Sequence, residues 1–476
     1  MDRTAAEHLA NEAKSLTFRE LPPEVIHQVK RSLIDTIGLG FGGYLSEPSN
    51  ILQSVIREAN GPAESTIFVN GLKASCLDAT LANGLMVRYN NMFDRAFLTK
   101  DSLNPAGSNC ESIPALLAVG ERQHSSGQDV IVAIVLAYEL LNKIFDSLGG
   151  DNKILDSRGW THETMRTPCA MALVTGRLLG LNEEQMAHAL ALAGCFHLEL
   201  RILNSGENEL TMARSLRFAY GAYGGIHGAM LARKGFKGPL DVFEGRHGID
   251  EVVAGGKMDL EKLKQPRKAW TILYTQMSNL GVGVHMHGLI EATLKVVREH
   301  DIKAKDVANV RITTNSTTHR ILANPTTRRY PKNKETADHS SYYCAAVSIL
   351  DRAIGLEQFS DEKLQDIRVK ELMDKVQIES DPKLDAYYNP GIVEISTYDS
   401  KKYTGTVLHP KGGAMNPMTD ADIEEKFRSA AAKFMGEKQM KQIIDTVYNL
   451  EKFDDIGDLV KLLVVAGPTG RVLVAS

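Results

Sequence analysis

The chain has 476 residues, with 55 Lys and Arg against 59 Asp and Glu and a formal net charge of −4; that length exceeds one typical domain and points to two. Hydrophobic residues make up 43% and charged residues 24%, an ordinary globular balance, and the scattered basic residues leave no footprint for nucleic acid or an anionic membrane. No run of ~18 uninterrupted apolar residues occurs, so no membrane span is expected.

The opening stretch, MDRTAAEHLANEAKSL, is charged and amphipathic with no apolar core of a secretory signal. Its early acids, Asp2 and Glu7, count against a mitochondrial transit peptide, so a cytoplasmic location is expected. Pro22-Pro23 precede EVIHQVKRSLIDTIGLGFGGYL, which begins amphipathic and turns apolar and Gly-rich, as a helix entering a core does. Residues 73–97 keep helical periodicity and carry Arg88, Asn90, Asn91 and, near their end, Asp94. A Gly/Pro loop with Pro105 and Gly107 follows, then apolar helices over Ile113 to Arg122 and Gln128 to Phe145.

Residues 146–168 are polar and irregular and include RGWTHETMRTP. Two helices then break at Gly180-Leu181-Asn182, where Asn182 fits an N-cap with Gln185 at the capping-box position. Residues 204–209 read as a loop; from Leu210 small residues dominate, among them Gly221, Gly224, Gly225 and Gly228. Each Gly costs a helix interior ~1 kcal/mol relative to Ala, so several in one helix indicate close backbone neighbours. The reading is a buried central helix with Arg214 at its entrance. Through residue 265 almost no period-2 alternation appears, so this part is expected to be all-helical.

Near Leu263 the texture changes. Strand-like runs appear (WTILY, VANVRITTNS, KVQIES, GIVEISTYDS, YTGTVLH), interleaved with the helical HMHGLIEATLKVVREHD and SYYCAAVSILDRAI. After His409 the chain turns helical again. The expected fold is mainly α: a large helical domain of residues 1–265 and 410–476, with 266–409 as an inserted, smaller α+β lid.

Several places could carry chemistry. Asp94 lies at a helix exit, His162 in the polar WTH loop, Arg214 at the central helix, and His285 and His287 at the start of HMHGLIEA. In ETADHSSYY, Asp338, His339 and Ser340 stand before an apolar helix, where free N–H groups favour an anion; Asp338 or Ser340 also fits a plain N-cap. The i, i+2 spacing of HMH points the two rings apart on a helix, against a metal pair. The five cysteines are dispersed, with no CxxC and no zinc spacing, so a reduced cytoplasm fits and neither a structural metal nor a metal cluster is expected.

The stretches GENELTMARS, AMLARKGFKGPLDVFEG, KETADHSSYYCAAVSILD and HPKGGAMNPMTDADIEEKFR resemble, in order and separation, the MmgE/PrpD family. That family includes 2-methylcitrate dehydratase, cis-aconitate decarboxylase and iminodisuccinate epimerase. The resemblance implies a homodimer with a cofactor-free cleft site made of an Asp, two His and a Lys. Asp94 in RYNNMFD matches the Asp, His162 the first His and His285 the second. The Lys position of the family's M-W-K is here Arg214, a second acid common beside the Asp is here Asn91, and the usual His-Pro is here Asn104-Pro105. Arginine holds a carboxylate through two parallel hydrogen bonds but exchanges no proton. Arg214 is therefore expected to clamp a carboxylate, with Arg88, Asn91, His339 and Ser340 as further substrate contacts and Asp94, His162 and His285 moving protons.

The family's shared chemistry makes or quenches a carbanion beside a carboxylate. The resemblance thus implies a lyase on a small polycarboxylate, first dehydration of 2-methylcitrate or another alkylcitrate. A cis-aconitate-type decarboxylase, a dicarboxylate epimerase and a non-catalytic polycarboxylate binder are the alternatives.

Overall fold

In the computed structural model, which describes residues 3–99, 101–103, 105–150, 152–161, 163–204, 209–266 and 269–465, the glycine-rich stretch forms the helix Arg217–Arg233. Its glycines are contact points. A Cβ on Gly225 would fall 2.6 Å from the Ala172 amide nitrogen, and one on Gly228 2.7 Å from the Ala189 carbonyl oxygen. The helices Arg166–Leu178 and Glu183–Phe196 thus lie backbone-close to it, an approach that side chains would block. The helix begins later than its composition implies. Met212–Leu216 is a 3-10 segment, and the Arg214 N–H bonds the Thr211 carbonyl at 3.1 Å, so Arg214 stands on a tight turn ahead of the helix.

The chain divides into two compact units. The first comprises Met1–Arg201, Ser215–Thr275 and Thr419–Ser476. Among its described residues it is helical except for the short antiparallel pair β1 (Ser65–Thr66) and β2 (Lys73–Ala74). Pro at the first position opens the helix Pro23–Gly43, whose second half is almost entirely buried. The C-terminal helix Asp420–Ala431 packs on it: the Phe427 Cα lies 3.0 Å from where a Gly38 Cβ would stand, and Lys426 Nζ pairs with buried Asp35 at 2.7 Å. The Asn182–Gln185 capping box is present in both directions.

The second unit comprises Ile202–Arg214 and Gln276–Met418. Its sheet has the order β4-β3-β5-β6, with β3 Val307–Thr314, β4 Val376–Ser380, β5 Gly391–Thr397 and β6 Lys402–Val407. β3 runs parallel to β4 and antiparallel to β5, and β5 is antiparallel to β6. Along β5 burial alternates strictly, so Val393 and Ile395 face the core with Ile290, Leu294 and Val297 of the helix His287–Glu299. Gly288 and Gly391 let that helix start directly on β5. A Cβ on Gly391 would lie 2.3 Å from the Leu289 backbone, and the Gly288 N–H bonds the Asn389 carbonyl at 3.1 Å.

The architecture is therefore mainly α, a large helical unit drawn from both chain ends plus a smaller α+β unit. Two particulars differ from the sequence reading. Residues 202–214 belong to the second unit, which otherwise runs over 276–418 rather than 266–409. The WTILY run is no strand. Thr271–Tyr274 is a 3-10 turn of the first unit, with Ile272 fully buried and its N–H taken by Glu139 Oε1 at 3.1 Å. With its backbone bonded to a side chain and to itself, the run has no ladder to join.

Candidate functional site

In the first unit, the helix Cys76–Tyr89 delivers Arg88, and its C-cap Asn90 pins the helix end by donating to the Leu39 and Met86 carbonyls at 2.6 and 3.1 Å. Asn91 follows in the left-handed region at φ +55°, turning the chain so that Asp94 enters the interior. Asparagine tolerates that conformation better than most residues. Asp94 is 1% exposed. The Tyr138 hydroxyl donates to its Oδ2 at 2.7 Å and the Cys110 N–H to its Oδ1 at 3.1 Å. Burial raises its pKa to about 6, and the two hydrogen bonds offset part of that rise.

A buried charged cluster lies in the same unit, and one member, Arg166, feels the Asp94 charge. Arg88 pairs with Glu111 at 3.2 Å and lies 3.9 Å over the Phe93 ring; burial, then the positive charge of Arg217, pulls its pKa down to about 10. Arg217 pairs with Glu163 at 2.8 Å. Arg166 is fully buried and has no ion pair among the described residues. Its Nη1 reaches Asn109 Oδ1 at 3.5 Å, while Nε and Nη2 have no hydrogen-bond partner among the described residues. Those two atoms make the side fork of a guanidinium, the arrangement that fits a carboxylate. Gly107, at φ +127°, makes room for it, since a Cβ there would sit 1.9 Å from Nη2. Both amide atoms of buried Asn91 also lack hydrogen-bond partners among the described residues. Glu199 accepts from Thr161 Oγ1 at 3.0 Å, and burial, then the charge of Glu163, raises its pKa to about 8.

In the second unit, Arg214, His339, Asp338 and Lys334 form one network. Arg214 Nε donates to Asn204 Oδ1 at 2.9 Å, and its Nη1 lies 3.3 Å from His339 Nδ1. Asp338 Oδ1 makes a close contact with the same Nδ1, while its Oδ2 lies 2.9 Å from Lys334 Nζ as an ion pair without hydrogen-bond alignment. The nearby cations hold Asp338 well below the usual carboxylate range despite burial. Burial and then Arg214 hold His339 below the usual imidazole range. The Gly283 N–H donates to the Asp338 carbonyl at 2.7 Å. Two residues on, His285 Nδ1 lies 2.9 Å from Asn389 Oδ1, with Tyr388 edge-on to its ring. Ser340 is the N-cap of the helix Ser341–Asp351. Its hydroxyl accepts from the Tyr343 N–H and donates to the Arg328 carbonyl, so both functions are occupied.

Of the sequence candidates, then, Arg88, Asn91 and Asp94 fall together in the first unit. Arg214, His339, Ser340 and His285 fall in the second. His162 and Asn104 lie outside the described residues. Arg166, Arg217, Glu111, Glu163 and Glu199 were not singled out by the sequence. Their signal was faint: an Arg at the first position of each of two apolar helices, with acids in neighbouring polar loops. Among the described residues no group of three or more His, Cys, Asp or Glu side chains is placed to hold a metal ion, and no helix is long and apolar enough to cross a membrane.

The profile of the MmgE/PrpD N-terminal domain matches residues 7–261 and that of the MmgE/PrpD C-terminal domain residues 281–451. The chain is similar to a cis-aconitate decarboxylase-like protein of Aspergillus oryzae, 25% identical over 96% of each chain. It is similar to the cis-aconitate decarboxylase of Homo sapiens, 24% identical over 97% of this chain and 95% of that one. It also matches the mitochondrial 2-methylcitrate dehydratase of Yarrowia lipolytica, 22% identical over 79% of this chain and 71% of the relative.

Proposed function

Because this chain belongs to the MmgE/PrpD family, we propose that it is a cofactor-independent lyase acting on a small citrate-like tricarboxylate, and that the reaction is dehydration of 2-methylcitrate or another alkylcitrate. The observation that carries the reading is Asp94. A carboxyl whose pKa stands at about 6 keeps a protonated fraction up to neutrality, far more than an ordinary Asp, and that form can give its proton to a departing hydroxyl. Arg88, Arg166 and Arg217, interior to the same unit, supply fixed positive charge for a polyanion. Arg214, in the second unit, is itself a guanidinium kept charged at every working pH.

Decarboxylation of a cis-aconitate-type acid is the second reading. It is favoured by the relatives that carry that name over nearly the full length of this chain. Loss of CO2 leaves an electron pair that a donor such as Asp94 would have to protonate, so the acid serves both chemistries. In keeping with the family resemblance, the working form is proposed to be a homodimer in the cytoplasm, with no nucleic acid, membrane or metal partner.

The test is product analysis with 2-methylcitrate, other alkylcitrates, citrate and cis-aconitate, each with and without a chelator. An unsaturated tricarboxylate formed from an alkylcitrate supports dehydration; CO2 and a dicarboxylate formed from cis-aconitate replace it with the second reading.

A further inference from the structure

The proton inventory around His339 is over-determined. Its Nδ1 faces two groups at once, Asp338 Oδ1 and, at 3.3 Å, Arg214 Nη1. A single ring nitrogen cannot donate to one and accept from the other. Asp338 is 1% exposed and its other oxygen pairs with Lys334 at 2.9 Å, so the carboxylate stays ionised and can only accept. Close contact between an ionised oxygen and a bare nitrogen would set two lone pairs against each other. The hydrogen therefore sits on Nδ1 and is donated to Asp338, and the Arg214 contact is a charge beside the ring rather than a hydrogen bond.

Two consequences follow. Nε2 carries the free lone pair. The ring also stays neutral, because burial disfavours an imidazolium, Arg214 stands against it, Arg328 adds positive charge from the adjoining helix Pro325–Arg328, and the Asp338 charge that would favour an imidazolium is shared with Lys334. The His339 side chain is 12% exposed and that of Asp338 1%, so the orienting group is sealed more completely than the ring. Gly283 stands beside the ring: a Cβ there would lie 3.3 Å from Cδ2 and 3.5 Å from Nε2. A glycine there leaves the approach to Nε2 low-walled.

We propose that His339 is a general base in this protein, taking a proton through Nε2 from the carbon next to a substrate carboxylate while Asp338 holds the Nδ1–H. The assignment rests on the lyase reading and changes the part given to His339 from a substrate contact to a proton-transfer group. In a dehydration, Nε2 gains the proton and the C–H electron pair becomes the new C=C bond. The C–O bond breaks, the leaving hydroxide takes a proton from solvent to become water, and the imidazolium returns its proton to solvent, so no net proton is consumed. Arg214, already beside the ring, supplies the fixed positive charge that the enolate-like intermediate needs.

The experiment joins kinetics to nitrogen NMR of 15N-histidine-labelled protein, with the His339 signal assigned by its loss in His339→Gln. At pH 7 the expected state is a neutral ring protonated on Nδ1. His339→Gln should lower kcat by ~100-fold or more with KM within about threefold, and free imidazole should restore part of the rate. Asp338→Asn should lower kcat at least about tenfold and move the tautomer balance toward Nε2–H. An Nε2–H ring or an imidazolium at pH 7 overturns the proposal. So does a His339→Gln variant that raises KM while kcat holds, since that is the signature of a binding residue. If the wild-type protein turns over none of the acids, the lyase reading fails and the base assignment falls with it; turnover that persists at the parent kcat in His339→Gln overturns this assignment alone.

Discussion

Asp94→Asn should make the protein more stable at neutral pH while disabling it. In the folded state burial lifts the Asp94 carboxyl from 3.8 to about 6. At about 1.4 kcal/mol per tenfold, the ionised side chain then costs the native state about 3 kcal/mol at pH 7.5. Asparagine removes that cost. Its carbonyl keeps the Cys110 N–H, and its NH2 faces the Tyr138 hydroxyl with the bond direction reversed, a loss of about 1 kcal/mol at most. The net gain is about 2 kcal/mol, or a Tm higher by roughly 3 °C for a unit of about 320 residues. The sign depends on pH. A carboxyl whose folded pKa is raised favours the native state fully below 3.8, and that support is lost as pH rises through about 6. The advantage of the variant should therefore be complete above pH 6.5 and shrink steadily toward pH 4. Thermal unfolding of both proteins between pH 4.5 and 8 measures it. Equal Tm values at pH 7.5, or a difference that does not shrink on acidification, would refute the placement of a costly ionised carboxylate at Asp94.

Arg166→Met should raise Tm as well, because the guanidinium is buried with no ion pair among the described residues and apolar replacements of buried charges are often neutral or stabilising by ~1–4 kcal/mol; a lower Tm would show that its fork is satisfied within the protein. Glu163→Gln should do the opposite, since it strips Arg217 of its partner at 2.8 Å and leaves a buried charge at a cost of ~3–5 kcal/mol, read as a lower denaturant midpoint. Arg214→Lys keeps the charge but loses the fork, so steady-state kinetics should show a raised KM with activity only partly retained; a variant that matches the parent and gains a titration near pH ~7–8 would make this position an acid–base site.

Much of the fold could be read from local pattern. The glycines of Arg217–Arg233 signalled backbone contact because only close packing rewards their helix cost, and each of them meets a neighbour. The Asn182–Gln185 box lies within four residues and announces itself. WTILY misled because alternation and β-branching describe a surface, whereas a strand also needs a partner ladder, and Glu139, 133 residues away, took its N–H instead. Among the candidate residues, Asp94 of the first unit and Arg214 and His339 of the second stood out by position. The Arg88–Glu111 and Arg217–Glu163 pairs did not, since their partners lie 23 and 54 residues apart and a buried ion pair leaves no periodic mark. Nor could the adjacent letters of Asp338 and His339 tell a cap from an orienting carboxylate; that needed the positions of Lys334 and Arg214 around them.

The central claim is that this protein makes a carbanion beside a carboxylate without a metal or other cofactor. Chelator-treated protein incubated in deuterated water with 2-methylcitrate and its analogues, followed by proton NMR, tests that most directly. The account predicts product formation with deuterium at the carbon next to a carboxylate in product or recovered substrate, both lost in Asp94→Asn. Tight binding of a tricarboxylate with neither product nor deuterium would make the protein a polycarboxylate binder, and turnover that appears only when a metal ion is restored would contradict the cofactor-independent chemistry.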